Sequence, residues 1–123
     1  MFEKGWNPFM EYNNIDIESV SEEESILLAR ISGESKNPYG MIHGGLIYTM
    51  IDCAAGITAR ADGNKYVTQN SYVNYLSNTA TADVIYAKSD VIRRGNSVVV
   101  VHVKVYTPDG KNLADGVVDM FRI

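Results

Sequence analysis

The 123-residue sequence lacks most of the features that mark a specialised protein class. Its single cysteine cannot form an internal disulfide. No CxxC pair and no Cys/His cluster with metal-ligand spacing is present, so neither a metal nor a cofactor is expected. With only 11 basic residues against 15 acidic ones, the net charge is −4. That balance argues against nucleic acid as a partner, because phosphate binding needs a clustered basic surface. No stretch reaches the ~18 apolar residues of a membrane span, and the opening MFEKGWNPFMEY has no apolar signal-peptide core. The expectation is a cytoplasmic protein with no membrane partner. What remains, 46% hydrophobic and 21% charged residues, suits one globular domain over residues 1–123.

Along the chain, residues 1–12 carry Phe2, Trp6, Phe9 and Tyr12 and predict a short helix or an ordered arm. Ile15 to Ile31 reads as a hairpin turning through the polar cluster Ser21–Ser25. Residues 34–42, ESKNPYGMI, form a loop. Residues 43–60, HGGLIYTMIDCAAGITAR, predict the one long helix from their length and their Ala, Leu, Met and Ile content. Strands are expected at Val67–Ser77, Ala82–Arg94, Ser97–Thr107 and Leu113–Ile123. Arg93-Arg94-Gly95-Asn96 and Thr107-Pro108-Asp109-Gly110 supply tight-turn chemistry between them. The fold class is α+β, a meander of five or six antiparallel strands curled around a central helix.

The helix carries the strongest signal. Leu46, Ile47, Met50, Ile51, Ala54, Ile57 and Thr58 share one broad apolar face. The opposite face reads Gly45, Thr49, Asp52, Gly56 and Ala59, small residues with a lone carboxylate where a solvated helix would carry long charged side chains. Such a helix is expected to be buried on both sides. An acid in that setting is rare unless it is paired or functional.

Asn37-Pro38-Tyr39-Gly40-Met41-Ile42-His43-Gly44-Gly45, with Asp52 nine residues after the histidine, resembles the hotdog-fold acyl-CoA thioesterases of the phenylacetate-pathway (PaaI-like) type. Val67-Thr68 through Ser77, Arg93-Arg94-Gly95 and Asp109-Gly110 through Ala114 resemble later parts of the same family, so the similarity spans residues 14–123. It implies hydrolysis of an acyl- or aroyl-CoA. Gly44 N–H would polarise the thioester carbonyl, with Gly45 beside it, and Asn37 and His43 would support the substrate-side loop. Asp52 would act as base or nucleophile, and the Thr68 hydroxyl would position water. Arg93, Arg94 and Lys65 would hold the CoA phosphates, with Gly95 beside them on the substrate-binding side. It further implies a homodimer at minimum and a homotetramer built as a dimer of dimers.

Elementary chemistry points the same way. Thioester hydrolysis passes through an oxyanion, and a helix N-terminus offers unpaired N–H groups and a favourable dipole. Nine residues at ~1.5 Å each separate His43 from Asp52 by about 13 Å, too far to meet at one carbonyl unless a second chain contributes. Cys53 reads as a core residue and not as a nucleophile. The competing expectations are a non-catalytic acyl-CoA-binding module and a hotdog enoyl-CoA hydratase or dehydratase.

Overall fold

A computed structural model describes residues 1–123. The elements are α1 (Pro8–Tyr12), β1 (Ile15–Val20), β2 (Glu24–Arg30), a 3₁₀ turn (Gly33–Ser35), α2 (Gly44–Arg60), β3 (Tyr66–Tyr75), β4 (Val84–Arg94), β5 (Val98–Tyr106) and β6 (Asn112–Arg122). Asn7 caps α1, its side chain accepting from Met10 N–H, and Pro8 occupies the first turn where its missing N–H costs nothing. The strands form one six-stranded sheet in the order β1-β2-β4-β5-β6-β3, antiparallel throughout.

The expected α+β class and strand number hold, but the meander does not. After β2 the chain leaves the sheet through α2, and β3 pairs with β6 at the far edge while β4 returns beside β2. Alternation identifies a strand and the face it buries, but the neighbour it takes depends on a tertiary connection. Here that connection is a helix about 25 Å long, which is enough chain to reach the opposite edge.

All seven residues of the predicted apolar face of α2 are buried, Met50, Ile51, Ala54, Ile57 and Thr58 completely. They pack on alternate residues of the sheet, including Leu27, Ile85, Val101, Val103 and Val118. Each large aliphatic side chain so buried contributes roughly 1.5–3 kcal/mol. Under the C-terminal half of the helix, Thr58 hydroxyl bonds Ser25 and Ser89 hydroxyls at 2.9 and 2.5 Å, so a polar residue in the core leaves no orphan group.

Candidate active site

Two ends of α2 have to be distinguished. At its N-terminus, the loop before it is stapled by its own side chains. Asn37 Oδ1 accepts from Tyr39 and Met41 N–H at 2.9 and 3.1 Å, and Asn78 bonds Ile42 through both its amide oxygen and its amide nitrogen. His43 then caps the helix, its Nδ1 accepting Gly45 N–H at 2.8 Å. That bond fixes the neutral imidazole proton on Nε2. It also separates the two glycines: Gly45 N–H is occupied, whereas Gly44 N–H has no partner in the chain and faces a cleft of about 550 Å³. Tyr75 completes this end, donating its hydroxyl to Gly44 C=O at 2.8 Å and laying its ring against Gly44.

Midway along α2, Asp52 is half-buried in the single chain. Gly56 and Ala59 on the same face are fully covered, but Gly45, Thr49 and Asp52 stay open in a single chain. The Asp52 carboxylate accepts the Thr68 hydroxyl at 2.5 Å. Thr68 therefore holds the acid directly with its one proton and can meet a water only through its lone pairs. Cys53 is excluded as a nucleophile, since burial, reinforced by the neighbouring Asp52, pushes its thiol up to about 12.

The basic residues divide. Arg94 does not point outward: it donates to the carbonyls of Thr58, Ala59 and Glu22 and to Asp62 Oδ2 at 2.7–3.0 Å, closing the C-terminus of α2. Burial works against the Asp62 carboxylate, but the Tyr66 hydroxyl, Asn64 and the Arg94 charge outweigh it and hold Asp62 below the usual range. Gly95 N–H is likewise engaged, donating to Val98 C=O at 2.9 Å to close the β4–β5 hairpin. Arg94 and Gly95 thus have structural work within the chain. Lys65 and Arg93 are exposed and form no ion pair. His102 pairs loosely with Asp115 at 3.6 Å on the outer face of the sheet, remote from this chemistry.

The signal that was missed lies in β3. A register shift between Thr68 and Asn70 turns Ser71, Val73 and Tyr75 toward α2, where strict alternation from Thr68 would have put Asn70, Tyr72 and Asn74. Hence Ser71 bonds Tyr48 hydroxyl and Tyr75 reaches Gly44.

The comparisons with known proteins match this arrangement. A family model described as the thioesterase superfamily matches residues 39–114, more than half of the chain and the whole stretch from the loop before α2 into β6. A hypothetical thioesterase from Streptococcus pneumoniae TIGR4, solved with coenzyme A, is 27% identical with a TM-score of 0.84, over 89% of this chain and 86% of that one. The same protein has been solved as Asp52→Ala and Thr68→Ala variants, in its own numbering. A Streptococcus mutans UA159 protein bound to acetyl CoA is 28% identical with a TM-score of 0.85, over 91% and 90% of the two chains. The E. coli PaaI protein from the phenylacetic acid degradation operon shares the fold at a TM-score of 0.91 and 19% identity, over 96% and 86%. A helix with a free N-terminal amide and a carboxylate on its open face, wrapped by an antiparallel sheet, is thus the hotdog fold, and the chain belongs to the thioesterase superfamily as a thioester hydrolase.

Proposed function

We propose that the protein hydrolyses acyl-CoA thioesters at a site shared between two chains. The observation that carries this is the division of labour along α2. Its only unpartnered first-turn glycine amide is Gly44 N–H, and its only carboxylate is Asp52, about 12 Å further along the helix. One thioester carbonyl cannot touch both in one protomer. With a second helix alongside, Gly44 N–H of one chain donates a hydrogen bond to the carbonyl oxygen as negative charge grows on it. Asp52 of the other removes a proton from the attacking water, or attacks the carbonyl carbon itself. In the first route the thiolate leaves and takes up the proton that Asp52 took from water; in the second it is protonated by solvent, and water then cleaves the acyl–Asp52 anhydride, releasing the acid and restoring the carboxylate. The coenzyme A and acetyl CoA bound to the streptococcal relatives support the substrate class. An aspartate and a threonine with these same numbers being the residues replaced in one of them supports the pair.

The edge strand supports the assembly. β3 is ten residues long and paired with β6 on one side only, so its outer edge is open, with Val67, Tyr72 and Tyr75 about half exposed, and no proline or charged side chain within it. Proteins rarely leave such an edge open. Pairing β3 with its copy around a two-fold axis covers it, and a dimer of such dimers gives the tetramer. Of the basic residues the resemblance assigns to the CoA phosphates, Lys65 and Arg93 are exposed and without an ion pair, and remain available for that contact.

Two measurements test this. A panel of acyl- and aroyl-CoA thioesters should release free thiol with at least one member; silence across the panel sinks the hydrolase reading for CoA. The shared site is tested by mixing inactive variants. Gly44→Pro removes the amide yet suits the first helical position, because His43 before it is already extended at φ −64°, ψ 130°. Co-expressed in equal amounts with Asp52→Asn, it should restore about a quarter of wild-type activity. Half the dimers are mixed, and each mixed dimer rebuilds one of its two sites. A site contained in one chain gives no rescue.

A further inference from the structure

Arg60, at the last position of α2, is a half-buried cation with no ion pair. Its one hydrogen bond is from Nη2 to Tyr66 C=O at 2.9 Å, and Trp6 of the N-terminal arm lies over its guanidinium at 5.6 Å. Trp6 is itself braced edge-on by Phe2. The side chain does not leave the helix for solvent. It folds back one turn so that Nη1 occupies the space a side chain at position 56 would fill: a Cβ on Gly56 would lie 2.5 Å from Nη1 and 3.5 Å from Met120 Cε. Positions 52, 56 and 60 form one row on the helix, and side chains lean toward its N-terminus. The guanidinium, lying over Gly56, therefore faces the side of the helix that bears Asp52.

We propose that Arg60 is a positioning residue for the reaction, a fixed positive charge laid along the helix row toward the Asp52 carboxylate, with Gly56 absent of side chain to let it lie there. The inference rests on Asp52 being the acid of the site. Electrostatics supports it: burial lowers the Arg60 guanidinium, while Asp52 and then Cys53 pull it back up, and Arg60 in turn opposes the rise of the Cys53 thiol. The groups facing the guanidinium are Asp52 and Cys53 on α2, Tyr66 on β3 and Trp6 on the arm. Asp62, the carboxylate just beyond the helix, is held by Arg94 and the Tyr66 hydroxyl instead. Tethering to Tyr66 and Trp6 holds the charge a turn away from Asp52, so it acts through the field and leaves the carboxylate oxygens free for the reaction.

The test compares Arg60→Gln, Arg60→Lys and Gly56→Ala with the wild type. The substrates are the panel thioester turned over fastest and its N-acetylcysteamine analogue, which carries no phosphate. With either one, Arg60→Gln should move the acid limb of the kcat/KM profile upward by about half to one pH unit. Arg60→Lys should restore it in large part. Gly56→Ala should mimic the glutamine variant, because the new methyl displaces the guanidinium while favouring the helix. A Tm at or above wild type would show that it does so without damage to the fold. Superimposable profiles for Arg60→Gln and wild type overturn the proposal, as does a defect confined to the KM for the CoA substrate, which would make Arg60 a phosphate contact. Asp52→Asn run alongside separates the two ideas: if that variant keeps wild-type turnover, the role of Asp52 fails as well.

Discussion

Asp52→Asn should lower kcat by about 10²- to 10⁴-fold, the span that general acid–base groups contribute, with KM little changed. The amide oxygen of asparagine can still accept the Thr68 hydroxyl that now bonds Asp52 Oδ1 at 2.5 Å, so the side chain keeps its seat and loses only its charge. The half-exposed position makes the replacement cheap for the fold, with a change in stability within about 0.5 kcal/mol. Thiol release measured under saturating substrate, beside a thermal melt of the same preparation, checks both halves. A variant that melts normally and turns over at the wild-type rate removes Asp52 from the mechanism. A variant that merely unfolds would point to a structural acid.

The largest expected loss of stability is at Arg94. Arg94→Met keeps the aliphatic bulk but removes the guanidinium that donates to the Thr58 and Ala59 carbonyls at the end of α2 and to the Glu22 carbonyl in the β1–β2 turn, and strips Asp62 of its cation. The Asp62 and Arg94 side chains are only 13% and 24% exposed, so water replaces the lost bonds incompletely. The cost should be about 2–4 kcal/mol, or roughly 8–15 °C in Tm for a chain of this length. Asp62 adds a pH signature. Its carboxyl is held below the ordinary value, so the stability it contributes is present above about pH 4 and lost as pH falls through its folded value. Arg94→Met should therefore flatten the acid side of the stability curve, and Asp62→Asn in the same chain should recover part of the loss. A variant with an unchanged melt but a weaker grip on CoA thioesters would return Arg94 to the substrate.

These two residues also show where the sequence was legible. The helix, its buried stripe and the Asp52 position follow from a 3.6-residue period that nothing in the structure interrupts. Strand faces follow from a two-residue period, and that period slips at four places in the sheet, two of which bear on α2. In β4 the shift between Val91 and Arg93 sets Arg93 opposite Val100 and Arg94 opposite the buried Val99, so Arg94 and not its neighbour turns in to meet the helix. In β3 the corresponding slip brings Ser71 and Tyr75 inward. A bulge has no compositional mark here, since neither Ile92 nor Gln69 is glycine or proline. Partner choice among strands was hidden for a different reason: it is decided by where α2 delivers the chain. The glycines were legible as a pair. Only the His43 cap, a contact between side chain and backbone, tells the free amide from the occupied one.

On the proposed pairing, the open rim along β3 links turnover to abundance. Where two copies must meet to complete one reaction centre, diluting the protein separates them, and the rate per molecule falls along with the total. Halving the supply of chain in a sparse cell would then cut output by more than half, whereas in a crowded one the loss would be proportional.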